Sequence, residues 1–204
     1  MTSRRPSPAP VGAEERILTA RLELQPVVEA DAAALAEMFL DERMYRFTGG
    51  QPGTLGDLRA AFARIAAQRA DDRGGTAQRN WTVRRRADGQ AVGMLQAVVA
   101  DGGRRAEIAW AVGVPWQGQG IASEAAHAVV GWLEAHGVHT IIAHINPDHH
   151  ASVGVATRVG LHPTGEVREQ RGIGEQLWRR GPMSTPPAGQ PNESGPRASH
   201  QTTA

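Results

Sequence analysis

Residues Ile17–Pro26 alternate apolar and polar positions, with Leu18, Leu22 and Leu24 recurring, which is the period of a half-buried strand. The period then lengthens. Asp31 stands where a helix N-cap belongs, and Leu35, Met38 and Phe39 follow on one stripe. A Gly- and Pro-rich loop, Thr48–Gly53, leads to Thr54, which is placed to cap a second helix carrying Leu55, Leu58, Phe62 and Ile65. Trp81–Arg85 returns to strand. Asp88-Gly89 is a hairpin turn into a strand over Ala91–Val99, and Asp101-Gly102-Gly103 is a second turn into Ala106–Val114. In that last strand Ile108, Trp110 and Val112 share a face. A helix is predicted from Gly120 to His136, with Ile121, Ala125, Val129, Trp132 and Leu133 on its buried stripe and Gly137 as its stop. Thr140–Ile145 reads as a buried strand, Ala151–Val159 as a short helix ended by Gly160, and Leu161–Val167 with Glu175–Arg179 as a final hairpin. The order β-α-α-β-β-β-α-β-α-β-β predicts an α/β (α+β) domain. Its sheet is mixed and mostly antiparallel, and helices flank it.

The 204 residues suit one domain with tails. Residues 1–15 and 181–204 are rich in Pro and poor in apolar residues, so they are expected to be disordered and to leave a folded span of 16–180. No apolar run approaches membrane-spanning length, and the N-terminus has no apolar core of a secretory signal. A cytoplasmic protein with no membrane partner is therefore expected. Net charge is +1, which gives no global field for nucleic acid.

Two absences narrow the chemistry. There is no cysteine, which excludes disulfides, zinc–thiolate sites, iron–sulfur clusters and a thiol nucleophile. All 22 basic residues are Arg, which excludes a Walker-type P-loop and Schiff-base catalysis, since both need a lysine amine.

The chemistry concentrates where the strand Ala106–Val114 passes through Gln117, Gly118, Gln119 and Gly120 into the helix beginning Ile121, Ala122, Ser123. The first N–H groups of a helix lack internal partners and lie at the positive end of its dipole. With glycines removing side chains, this turn is a backbone cradle for a pyrophosphate, with no need for lysine or metal. It is not the dinucleotide fingerprint, whose third glycine would fall at Ser123. Gly113-Val114-Pro115 should break the strand, and Thr140–Ile145 should then splay from it. The gap would expose free N–H and C=O groups to an extended amide-bearing ligand.

The turn Gln117-Gly-Gln-Gly120-Ile-Ala122 resembles the Q/R-x-x-G-x-G/A motif of the GNAT acyltransferase superfamily. The segments LTARLELQP, AEIAWAV, GIASEAA and HHASVGVATRVGLHPTGE resemble, in order and spacing, its branch of ribosomal-protein N-terminal-alanine acetyltransferase-like enzymes. The likeness spans 16–180 and implies an N-acetyltransferase domain using acetyl-CoA. The resemblance implies that the pyrophosphate lies on the amides of Gln117, Gly118, Gln119, Gly120, Ile121, Ala122 and Ser123. The pantetheine arm would follow Ala111, Val112, Gly113 and Val114. An N–H near Val112 or Gly113 would be the oxyanion donor.

Without cysteine, direct attack by an amine on the bound thioester is the simplest route. It needs a proton acceptor for the amine and a donor for the thiolate. Glu107, through water, matches the strand glutamate that relatives use as base; its alternative is an exposed residue or a partner of Arg104 or Arg105. Ser152 matches the Ser of an N-x-x-S pattern at the thiolate end, and it could equally be a helix N-cap or first-turn hydroxyl. The Asn of that pattern is His149 here, with Asn146 three residues earlier, and either could bond the pantetheine arm. The tyrosine acid of many superfamily members is missing, since the sole tyrosine is Tyr45. His144, His149 and His150 match no metal spacing, and no metal is expected. Arg84–Arg86 is expected to be a solvated turn rather than an RNA contact. The expected partner is an amine acceptor: a protein N-terminus, an amino acid or a small amine. It would be shaped by the first two helices, the loop Tyr45–Gly53 and the final hairpin. A homodimer is compatible with the sequence, as are a longer acyl-CoA donor and an acyl-CoA-binding protein without turnover.

Overall fold

The computed structural model describes residues 16–68 and 76–181. The expected tails, apart from Gly181, lie outside the described residues. The first strand is a hairpin of two, β1 (Ile17–Leu18) and β2 (Leu22–Pro26). The chain reverses because the Thr19 N–H and hydroxyl both bond Leu22, the N–H to its carbonyl at 2.9 Å.

The predicted first helix is broken into α1 (Asp31–Ala34) and α2 (Ala36–Phe39), with Leu35 out of helical geometry between them. Asp31 is not its cap. Ala30 holds that position, and the Asp31 carboxylate is 3% exposed, turned to the sheet. There it accepts the Val28 N–H at 3.0 Å and the Thr82 hydroxyl at 2.7 Å, and pairs with Arg84. Thr54 does cap α3 (Leu55–Gln68). Its hydroxyl accepts the Asp57 N–H while Asp57 accepts the Thr54 N–H, a reciprocal capping box.

The sheet continues through β3 (Ala77–Arg85), β4 (Ala91–Ala100) and β5 (Arg105–Val112). It is completed by β6 (Thr140–Ile145), β7 (His162–Gln170) and β8 (Ile173–Arg180), with α4 (Ile121–Ala135) and α5 (His150–Arg158) between. β3 starts at Ala77, before the expected Trp81, because it pairs with β4 along its length. The eight strands lie in the order β1-β2-β3-β4-β5-β6-β8-β7, antiparallel throughout except β5–β6. The predicted mixed, mostly antiparallel fold is therefore observed.

One face buries Leu22, Trp81, Leu95 and Ile108 against Val129 and Leu133 of α4. The other is covered by α1–α3 through Val27, Leu35, Met38 and Phe62 packed on Met94 and Ala111. That second cover ends at β5. Beyond it, Thr140, Ile142 and His144 of β6 and Leu177 and Arg179 of β8 line an open cavity of about 350 Å³.

β5 and β6 pair only over Arg105–Glu107 and Thr140–Ile142, then part. The splay expected at Gly113-Val114-Pro115 thus begins at Ile108, well upstream, and the strand ends at Val112 rather than Val114. The cause is the outer neighbours. β5 stays bonded to β4 as far as the Gly113 N–H on Val92 O at 2.9 Å, while β6 follows β8 to Ile145. Pro115 instead sits in a short 3-10 turn, Val114–Trp116, that redirects the chain.

Candidate active site

Between β5 and α4, Gly118 (φ 73°) and Gly120 (φ 77°) adopt the left-handed backbone that a side chain would strain. A Cβ at Gly118 would meet nothing within 4 Å, so the turn is open above. Gly120 is the N-cap of α4 and no side chain caps the helix, so the first-turn amides of Ile121, Ala122 and Ser123 face outward uncompensated. The Gln117 N–H is not among the free amides, since it bonds Val114 O at 3.3 Å. The two glutamine side chains brace the turn: Gln117 Nε2 donates to Val112 O at 2.9 Å and Gln119 Nε2 to Pro115 O at 3.1 Å.

A clamp that the sequence did not suggest holds this turn from the β1–β2 hairpin. Arg21 Nη1 donates to Gln119 O at 3.1 Å and Arg21 Nε to Glu124 Oε2 at 2.7 Å. Glu124 Oε1 also accepts the Thr19 hydroxyl and the Arg21 N–H. Burial alone would raise the Glu124 carboxyl, but these hydrogen bonds and the guanidinium outweigh it and hold it below the usual glutamate range. A lowered carboxyl contributes stability that is complete above the unfolded value and is lost as pH falls through the folded one. The melting temperature advantage of the native chain over Glu124→Gln should therefore shrink in acid. An advantage that held constant from neutral pH to pH about 3 would contradict the clamp.

Along the splay, alternation matters. The Gly113 N–H is taken by Val92, so it is not available as an oxyanion donor. Ladder alternation turns the Val112 N–H the other way, toward β6. Ala111 packs under α1–α3 and Gly113 lies against Met38 of α2, so these positions wall the gap.

On the far side, Asn146 Oδ1 accepts the Asp148 N–H at 2.9 Å, which leaves its amide group as the free donor. His149 is the N-cap residue of α5 but makes no side-chain cap. Its ring stacks on Phe47 at 4.4 Å, so the loop after α2 reaches the start of α5. Burial, with His150 adding repulsion, lowers the His149 pKa and favours the neutral ring. Ser152 lies half-buried in the first turn of α5, so it is a first-turn hydroxyl and not the N-cap.

Glu107 and His144 meet at the closed end of the splay. His144 Nδ1 lies 2.9 Å from Glu107 Oε1. The arginine partner of Glu107 is neither Arg104 nor Arg105 but Arg168 of β7, at 3.4 Å, itself held at 3.0 Å by Glu175 of β8. Arg168 and Glu175 escaped the sequence because their pairing depends on the β7–β8 register. The site residues thus fall into three neighbouring parts: the glycine turn, the wall of the gap, and the carboxylate–imidazole pair at its apex.

Arg84, Arg85 and Arg86 are each engaged within the fold. They bind Asp31, Asp88 and the carbonyls of Thr19 and Ala20 respectively, and Arg85 also lies 4.5 Å over Trp116. Among the described residues no three His, Asp or Glu side chains converge as a metal site, and no helix is long and apolar enough to cross a membrane.

Residues 21–162 match the acetyltransferase (GNAT) domain family. No curated protein matches the chain significantly. Among solved structures, a GNAT-family acetyltransferase from Bacillus anthracis superposes with a TM-score of 0.69 at 22% identity, covering 82% of this chain and 98% of that one. A ribosomal L7/L12 alpha-N-protein acetyltransferase in complex with coenzyme A gives 0.67 at 18% identity, covering 82% and 98%. An aminoglycoside acetyltransferase, also in complex with coenzyme A, gives 0.63 at 16% identity, covering 78% and 94%.

Proposed function

This chain belongs to the GNAT acetyltransferase family, and from that premise we propose that it moves an acetyl group from acetyl-CoA to a primary amine by direct attack in a ternary complex. The observation that carries this reading is the parting of β5 and β6 beside an uncapped, glycine-led helix start, with Glu107 and His144 at the apex of the gap. The open turn fits a pyrophosphate: amides of Gly118 to Ser123 would receive it, and Arg21 and Glu124 would hold the turn in shape. Asn146, and His149 with its neutral ring, flank the course of the pantetheine arm along Ala111–Val114. Acetyl-CoA supplies the reactive thioester.

The chain's own groups handle protons and charge. Glu107 acts through His144 rather than through water. It fixes Nδ1, leaving Nε2 to accept the proton of the attacking amine, and Arg168 keeps the carboxylate in register. The Val112 N–H is the oxyanion donor. Ser152, whose hydroxyl makes no hydrogen bond among the described residues, donates a hydrogen bond to the departing thiolate, which with an ordinary thiol pKa near 8.5 leaves as the anion and takes its proton from solvent.

A melting scan with and without acetyl-CoA tests the cradle, and thiol release with an added amine tests turnover. Ligand at 100 times its Kd should add about 2.7 kcal/mol, a shift of several degrees. No shift at millimolar acetyl-CoA, with no thiol release, would overturn the reading. Gly120→Val puts a branched side chain at a left-handed position in the cradle. It should raise the acetyl-CoA KM at least about tenfold and cut the ligand-induced shift to about half or less at the same acetyl-CoA concentration.

A further inference from the structure

Resting on the acetyltransferase reading, we propose that the acceptor is a peptide N-terminus with an acidic residue at its second or third position. The cavity of about 350 Å³ on the uncovered face is the space an amine would cross to reach Glu107 and His144. That volume lies at the small end of ligand sites and suits two or three residues. Its floor is Thr140 and Ile142, and an arginine stands on each side. Arg105 is opposite Thr140 on β5, and Arg179 is opposite Ile142 on β8.

These guanidiniums are available. Arg179 makes no ion pair or side-chain hydrogen bond among the described residues, and the nearest acid to Arg105 is Asp101 at a loose 3.8 Å, both largely exposed. The acids of the same face are not free. Glu107 is bound by His144 and Arg168, and Glu175 by Arg168. Glu166, on β7 at the outer rim, is the one unpaired carboxylate of the lining. Two open cations against one open anion favour an anionic acceptor over a polycation.

Spacing selects the kind of anion. Glu107, Ile142 and Arg179 form one row across β5, β6 and β8. With strands about 4.8 Å apart, the backbone of Arg179 stands about 10 Å from that of Glu107, and the backbone of Arg105, two residues along β5, about 7 Å away. The α-carboxylate of a free amino acid shares a carbon with the amine, so it meets either guanidinium only if that side chain folds back toward Glu107. An extended peptide advances about 3.3–3.6 Å per residue, so its second and third residues reach that span.

The test uses the full chain with acetyl-CoA and three amidated tripeptides carrying Asp, Ala or Arg at the second and third positions. Readouts are thiol release, product mass and the acetyl-CoA melting shift. The acidic peptide should exceed the neutral one by at least about tenfold in kcat/KM, mostly through KM, and added salt should narrow the gap. Arg179→Gln and Arg105→Gln should each reduce that ratio several-fold. Arg179→Glu should turn the preference toward the basic peptide, with melting scans verifying that each variant folds. Equal rates, a basic preference, or acetylation of small amines but no peptide would overturn the inference while leaving the acetyltransferase reading intact. Failure of every amine together with no acetyl-CoA shift would instead remove the reading on which it rests.

Discussion

Glu107→Gln and His144→Gln are each expected to lower kcat by about 10²–10³-fold, the ordinary contribution of a positioned general base. The acetyl-CoA KM should change little, because the two side chains sit at the apex of the splay and away from the glycine turn. The double variant is the sharper experiment. If Glu107 works by orienting His144 across their 2.9 Å contact, removing both should cost hardly more than removing one. Two independent groups would instead multiply their losses. Single variants that keep activity within about a factor of three, or a fully multiplicative double variant, would dismiss the pair as the proton acceptor. Melting scans separate chemistry from folding, since the Glu107 side chain is about one-third exposed and its loss should barely touch stability.

The largest stability effect should come from Asp31→Ala. Its carboxylate is 3% exposed and has three partners: the Val28 N–H, the Thr82 hydroxyl, which is fully buried, and Arg84. Removing it strands the Thr82 hydroxyl and leaves Arg84 without its anion. Breaking a buried pair on one side costs about 3–5 kcal/mol. Because the Arg84 side chain keeps 23% of its exposure, water can relieve part of the loss, so the lower end, about 3 kcal/mol, is expected. For a domain of this size that is a fall in Tm of about 6–12 °C. The consequence reaches the site, because α1 and α2 rest on this anchor and α2 places Met38 against Gly113. A fall below about 2 °C would show that the anchor does not hold those helices to β3.

Local patterns were read well where burial and turn chemistry agree. Every position of the predicted α4 stripe is buried, and the helix is followed by Gly137 at φ 88°. Thr54 caps α3 as its type and place suggest, and Asp57 completes a reciprocal box that the structure adds. The reading failed where a side chain had a better distant partner. Asp31 has the right type and place for a cap, yet Thr82 and Arg84 of β3 claim it, and Leu35 interrupts the helix behind it. The splay has a different cause from the one the sequence suggests. Pro115 is conspicuous in the sequence, but the strands part upstream, because each follows its outer neighbour rather than the other.

The candidate site divides in the same way. Its glycine turn was legible because two glycines before an apolar helical stripe state a local backbone requirement, and local requirements are written in consecutive residues. The family resemblance rested on the same kind of signal. The Arg21–Glu124 clamp, the Phe47–His149 stack and the linkage from Glu175 through Arg168 and Glu107 to His144 join residues far apart in the chain. Sequence alone determined most element types, the lack of any thiol or lysine amine on the chain itself, and the turn from strand to helix. The tertiary structure decided which carboxylates are already neutralised and which arginines remain open. Charge pairing depends on strand register and sheet order, and those are settled by packing between segments rather than within them.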